Sequence, residues 1–453
     1  MKNLLNVAFM IIVTFIISQC ILIAKNEETQ QTGGTARSIS LGSGGFGLTN
    51  YSLNDYDYDL EKRDKMYLYP THPYMKDPTA MFINPAWMTE YPNLIYSDIG
   101  EIIEITNNIE GNISKQSYLN NQFFGISFQA GKNWFIGGLI THLPNPQYDY
   151  DELQEKSSFP QGSAVKNPLY IDEDKPLINN IELMGAYRTK SISFGLGLSY
   201  CSNSDVDKPA DGESTDNGVN QIGLNAGILA DFGSDNKLDI GITYIDYSYG
   251  TGSENVSKGL IMVNSRFFYQ MSKEFTIVPL MNIYLLSNSE KMATSIFSLD
   301  AGIGGNYQTN DLLFTCGISL GYNSTTTPDI PIPTYGTIKL NATELIFPRI
   351  NLGAEWKAMD WMKLRIGYTT STNSTTTESA QILTNRIGTN TKSTTDYDTY
   401  LKNSGIRLGI GLMFGDFYLD AVMNPGLLYE GVHILSAGGN SFGFISAGYS
   451  FNK

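Results

Sequence analysis

In the stretch PRINLGAEWKAMDWMKLRIGYTT, Pro348 to Thr370, apolar side chains fall on every second position. Ile350, Leu352, Ala354 and Trp356 alternate with Arg349, Asn351, Gly353, Glu355 and Lys357, the period of two that an extended strand imposes. A short turn at 358–360 follows, and then Met362, Leu364, Ile366 and Tyr368 alternate with Lys363, Arg365, Gly367 and Thr369. The pattern predicts two antiparallel strands with one oily face and one polar, charged face. It recurs at Ile192, Phe194, Leu196, Leu198 and Tyr200, interleaved with serine and glycine, and at Ile406, Leu408, Ile410, Leu412 and Phe414, interleaved with glycine and Arg407. Ile222 to Phe232 and Leu238 to Tyr244 form a further pair around the turn at 233–236.

A soluble sandwich shows the same alternation with its oily face inward. Strand length and connection length separate the two. The periodic runs reach about ten residues or more, enough to cross a bilayer at a tilt, against a mode of about five or six in globular sheets. Short connections at 131–133, 189–190, 233–236, 272–273, 309–310, 358–360 and 415–416 alternate with longer polar ones at 143–178, 202–218, 248–257, 287–293, 323–344, 372–402 and 425–439. Short turns at one end and long loops at the other mark a transmembrane antiparallel up-and-down β-barrel, here of about 14–16 strands, with both chain ends on the periplasmic side. The final run FGFISAGYSF ends on Tyr449 and Phe451, which resembles the aromatic C-terminal signal by which barrel-insertion machinery receives such chains.

The N-terminus carries Lys2 and then an apolar stretch from Leu4 to Ala24 before the polar run at Lys25. Residues 1–24 are therefore expected to be a signal peptide. Ile17-Ser18-Gln19-Cys20 also admits reading as a degenerate lipobox, with Cys20 as the lipidated residue. Beyond Ala24 no stretch of about 18 apolar residues occurs, so membrane spans made of helices are not expected. The chain of 453 residues has 44 glycines, 12% aromatic and 17% charged residues, and a formal net charge of −15. That acidity disfavours nucleic acid and an anionic membrane surface as partners. It suits loops facing water. Three cysteines, Cys20, Cys201 and Cys316, are too few and too scattered for a disulfide framework. The expected location is the bacterial outer membrane, with its lipids as partners.

Both ends of the chain resemble the FadL/PorV-like outer-membrane barrels. At the start, ARSISLGSGGFGL (36–48) and DPTAMFINPAWMTEYPNLI (77–95) are similar to the glycine-rich stretch and the Asn-Pro-Ala motif that precede the first strand in that family. At the end, FYLDAVMNPGLLYEGVHILSAGGNSFGFISAGYSF (417–451) resembles the closing hairpin of the PorV-like branch. The resemblance implies an N-terminal plug or hatch over 25–92 and a barrel over 93–453. It implies plug roles for Gly42, Gly44, Gly45, Asn84, Pro85 and Ala86, and a barrel of fourteen strands. Pro85 would end the plug's path, and Asn84 would hydrogen-bond backbone left unpaired by the proline. Two functions follow: passage or binding of hydrophobic small molecules across the outer membrane, or a secretion-accessory barrel that docks exported proteins at the cell surface. The chain departs from the family in the insertion Thr49 to Lys76 and in Trp87, where the family has glycine.

Candidate chemistry is sparse. His72, His142 and His433 adjoin no cysteine pair, so no transition-metal site is expected. The repeats at 55–59 and 148–152, rich in Asp and Tyr, offer oxygen ligands but read as solvated acidic loops. No serine elbow, phosphate loop or triad is visible, so neither an enzyme nor a cofactor is expected. The polar-face charges Arg349, Glu355, Lys363, Arg365, Asp231, Asp239, Asp300 and Arg407 are expected to line the lumen. There they would form either a paired network that holds the plug or a selectivity lining.

Overall fold

The computed structural model describes residues 35–42, 71–107, 113–142, 179–203, 206–207, 215–216, 219–251, 254–288, 295–326, 330–332, 336–382, 391–396, 400–423 and 442–451. The expected signal peptide, Gly44, Gly45, both acidic repeats and His433 lie outside them.

Sixteen antiparallel strands close into one barrel. They are β1 (Leu94–Asn107), β2 (Ile113–Gln129), β3 (Trp134–His142), β4 (Asn179–Arg188), β5 (Ile192–Asn203), β6 (Val219–Asp231), β7 (Lys237–Thr251) and β8 (Glu254–Gln270). The second half comprises β9 (Phe275–Asn288), β10 (Ser295–Gln308), β11 (Leu312–Thr326), β12 (Gly336–Met359), β13 (Met362–Ile382), β14 (Tyr400–Phe414), β15 (Phe417–Met423) and β16 (Phe442–Ser450). Each strand pairs with its sequence neighbours, and β1 closes on β16 with Leu94 opposite Ser450 and Ile99 opposite Ile445. The strand number is therefore sixteen, not the fourteen implied by the family resemblance. Short strands at Ile330–Ile332 and Thr391–Asp396 extend the sheet beside β12 and β13 at the end away from the chain termini.

The oily face points outward. Along β5, Phe194, Leu196, Leu198 and Tyr200 are exposed while Ser193, Gly195, Gly197 and Ser199 are buried; β4, β6 and β12 repeat the pattern. A soluble sandwich would show the reverse. Next to the short turns the outward side chains include Trp134, Phe232, Tyr307, Trp361, Phe414 and Tyr449, a girdle of aromatic rings at one interface. Closure satisfies the backbone in lipid, where a free strand edge is intolerable. The chain is an integral β-barrel protein of the bacterial outer membrane.

Several expected connections prove to be strand. β11 runs to Thr326, β12 starts at Gly336, β13 runs to Ile382, and β7 and β8 leave only 252–253 between them. These segments are rich in Ser and in Thr, whose branched Cβ favours extended backbone. Beyond the lipid they need no apolar face, so they lack the alternation by which strands were recognised.

Candidate functional site

The N-terminal segment lies inside the barrel, against the part of the lumen nearest the short turns. Helix α1 (Thr35–Ser40) ends at Gly42, whose φ of 71° is the left-handed conformation that glycine adopts without strain. Two 3₁₀ turns follow at Pro78–Phe82 and Pro85–Thr89. Both have the same local logic: an Asp or Asn caps the turn and a proline at the first helical position supplies φ. Asp77 Oδ1 accepts from the Thr79 amide at 2.9 Å, and Asn84 Oδ1 accepts from the Ala86 amide at 3.0 Å. Pro85 thus opens a turn and does not end the plug's path, contrary to the expectation. Asn84 does reach wall backbone: its Nδ2 donates to Ile228 O at 3.1 Å, to Ile240 O at 3.2 Å and to Asp239 Oδ1 at 2.6 Å. The wall makes room with glycine. A Cβ on Gly227 would lie 1.8 Å from Asn84 Oδ1, and one on Gly195 would lie 2.1 Å from Ala86 N.

Charge ties the plug to the wall at three places. In the first, Glu355 on β12 accepts from Arg37 of α1 at 2.9 and 3.2 Å, and pairs with Lys363 at 3.3 Å and Arg365 at 2.6 Å from β13. Arg365 also meets Asp420 of β15 at 2.6 Å. In the second, Arg266 on β8 pairs with Asp239 at 2.7 Å and donates to the carbonyls of His72 at 2.8 Å and Met75 at 3.2 Å. Its guanidinium lies 5.5 Å from the centre of the Trp87 ring and 5.0 Å from that of Phe268, a desolvated cation–π arrangement. In the third, beside the turn at 233–236, Lys76 meets Asp235 at 2.6 Å and Glu90 meets Lys237 at 2.5 Å. Further hydrogen bonds complete the seat. Thr89 Oγ1 donates to Ser193 Oγ at 2.9 Å, Arg188 donates to Thr89 O, and Asn306 donates to Tyr74 O. The rest of the interface is apolar, with Tyr74, Phe82, Trp87, Met88 and Tyr91 buried.

Burial sets the protonation of the plug. Desolvation, helped by the neighbouring charges of Arg37 and Arg266, pushes the His72 imidazole down to about 3. Burial raises the Asp77 carboxyl despite the hydrogen bonds from Thr79. Burial also opposes the Arg37 charge, but Glu355 beside it holds the guanidinium above its ordinary value.

Of the expected lumen charges, Asp239, Glu355, Lys363 and Arg365 are buried and brought together with the plug. Arg349 is not part of the Glu355 group; it pairs with Asp300 at 3.0 Å. Asp231, on the lumen-facing register of β6, lies exposed at the rim, where its carboxylate caps the turn by accepting from Gly233 N at 2.7 Å and stands 3.7 Å from Lys237. Arg407 stands half-buried on the lumen-facing register of β14. Tyr449 faces outward, and the Phe451 amide donates to Asn93 O at 2.8 Å, joining the C-terminus to the start of β1. Cys201 is buried and Cys316 exposed, and neither is in a disulfide. Arg37 and Arg266, the central cations of the seat, were not among the expected residues.

No family model matches the chain, and no curated protein matches it in sequence. Solved structures with a partly similar course are barrels. The FrpB iron transporter from Neisseria meningitidis has a TM-score of 0.36 and 9% identity over 73% of this chain and 61% of that one. This chain therefore spans about three fifths of that transporter's length. A Pseudomonas aeruginosa FadL homologue gives 0.33 and 11% over 84% and 95%, and OmpT, an outer membrane protein of Vibrio cholerae, gives 0.31 and 10% over 79% and 98%. At such scores these likenesses assign nothing beyond the barrel, whose membrane placement follows from its own outward apolar face.

Proposed function

We propose that the chain is a gated transport barrel of the outer membrane whose N-terminal segment is a removable plug, moving a small solute without making or breaking a bond in it. One observation carries this reading: the plug is seated by side-chain hydrogen bonds, ion pairs and apolar contacts, while the wall is held by a continuous backbone ladder. Among the described residues, none of 35–42 or 71–92 is paired into the sheet. The two parts therefore draw on separate sources of stability, and the plug can leave while the barrel stays closed. The reading as a docking barrel for exported proteins rests on the resemblance of the closing hairpin alone.

The test is removal of the plug. A chain lacking residues 35–90 behind its leader should insert, migrate as a folded barrel and give a large, steady conductance in planar bilayers where the full chain is mostly closed. Equal conductance of the two would refute a plug. Failure of the shortened chain to fold would refute the independence of wall and plug.

A further inference from the structure

The central charges of the lumen wall are paired with one another, whereas a run of its neutral polar groups is not. Towards β12–β15, Glu355 and Asp420 are matched by Arg37, Lys363 and Arg365. Arg349 is taken by Asp300 and Arg266 by Asp239. From β4 to β9 the inward-facing positions include, beside the Asp239–Arg266 pair, the neutral Asn180, Ser199, Asn225, Thr243, Asn264 and Asn282, all buried. Strand pairing makes them neighbours: Asn225 stands opposite Thr243, and Asn264 opposite Asn282. Glu182, opposite Ser199, lies among them and accepts from Asn225 Nδ2 at 3.0 Å.

Most of this arc lacks hydrogen-bond partners. Both amide atoms of Asn180 and of Asn264 are without one, as are Ser199 Oγ, Thr243 Oγ1 and the amide oxygens of Asn225 and Asn282. Buried groups of this kind nearly always find partners in the protein, in water or in a ligand. The arc begins where the plug ends: Asn225 Nδ2 donates to Phe82 O at 3.0 Å. In the closed barrel the arc is shut in beside the plug, and displacement of the plug would open it to whatever enters.

We propose that this arc is the solute-binding layer of the opened channel and that it takes an uncharged, hydroxyl-rich solute of the oligosaccharide type. The proposal rests on the plug-gated reading. An asparagine amide offers a donor and an acceptor side by side, which a pair of neighbouring hydroxyls can meet from the other side. A fatty acid does not suit the arc, because its alkyl chain would leave every one of these groups unpaired. Its carboxylate would meet Glu182, while the cations described above are already engaged. The hydrophobic solute implied by the family resemblance is therefore not the one this wall is built to recognise.

The test uses the full chain carrying Arg37→Ala, which frees the plug, in planar bilayers, with maltotriose as the probe and laurate as comparison. Maltotriose should block the open current in a concentration-dependent way and laurate should not. Asn180→Leu with Asn264→Leu should weaken the block about tenfold or more. Ser199→Ala with Thr243→Val, which hardly changes side-chain volume, should act in the same direction and guards against misfolding of the first pair. Open channels that maltotriose does not block, a block that the arc substitutions leave intact, or a block by laurate instead would each overturn the arc while gating stands. Channels that never open would overturn the gated reading and the arc with it.

Discussion

Arg37→Ala separates the plug from the wall with little other damage. Arg37 reaches Glu355 through two hydrogen bonds at 2.9 and 3.2 Å. Without it, Glu355 keeps Lys363 at 3.3 Å and Arg365 at 2.6 Å, so no buried carboxylate is left bare. The loss is that of a charge-assisted contact, roughly 1.5–3 kcal/mol, and falls on the docked plug alone. At a factor of ten per about 1.4 kcal/mol, the ratio of docked to released plug should fall about ten- to 150-fold. Glu355→Gln is the harsher change. It removes the carboxylate that Arg37, Lys363 and Arg365 share in a buried site, where Asp420 is already held by Arg365, at a cost of about 3–5 kcal/mol. The assay is single-channel open probability, with the heat-modifiable migration of the barrel as the measure of wall stability. Open probability should rise in the order wild type, Arg37→Ala, Glu355→Gln, with the folded band kept for Arg37→Ala. Asp360→Asn, which breaks only the exposed pair with Lys357, should behave as wild type. Unchanged gating in Arg37→Ala, or loss of the folded band in step with gating, would refute the reasoning.

A methyl group at Gly227 should unseat Asn84, because its Cβ would lie 1.8 Å from Asn84 Oδ1; Gly227→Ala should conduct constitutively, while Gly131→Ala, whose Cβ meets nothing within 4 Å, should not. Acid should loosen the plug through His72, which stays neutral when docked and titrates normally when released. Its contribution to docking is complete above about pH 6.5 and is lost as pH falls toward about 3, so at pH 5 the docked ratio should drop about 30-fold. Arg37 and Arg266 face His72, and protonation of buried Asp77 favours the docked state and acts against His72. The excess acid sensitivity of wild type over His72→Gln, read as open probability against pH, isolates the histidine. Finally, Lys190→Cys and Asn310→Cys should resist an impermeant thiol reagent on intact cells and react once the outer membrane is permeabilised.

The barrel was legible because lipid outside and a polar lumen inside force a strict period of two. Ile350 to Trp356 and Phe194 to Tyr200 show it without ambiguity. Where that constraint lapses, the reading lapsed. The Ser- and Thr-rich ends of β11, β12 and β13 stand beyond the lipid, and their sequence reads as loop. β8 puts Leu260, Met262 and Phe268 on the same inward face as Asn264 and Arg266, so neither face looks polar and Arg266 passed unnoticed. The parity it shares with Asn264 was the available signal. Glu355, Lys363 and Arg365 were legible as lumen charges because they interrupt an otherwise regular pair. Their partner Arg37 was not, since it sits in a short stretch with no periodicity, and its role depends on a contact across 318 positions. Asn84 and Pro85 were legible as part of the plug, and only the structure shows that they form a capped turn pressing on Gly195 and Gly227.

The claim that the plug must leave its seat for solute to pass is tested most directly by locking it there. Thr89 Oγ1 and Ser193 Oγ lie 2.9 Å apart across the plug–wall boundary, so Thr89→Cys with Ser193→Cys should form a disulfide in a chain whose Cys201 and Cys316 are replaced by alanine. Conductance of that chain in planar bilayers should vanish on oxidation and return on reduction, with each single-cysteine control indifferent to both. An oxidised, crosslinked channel that still opens as often as the reduced one would contradict the account.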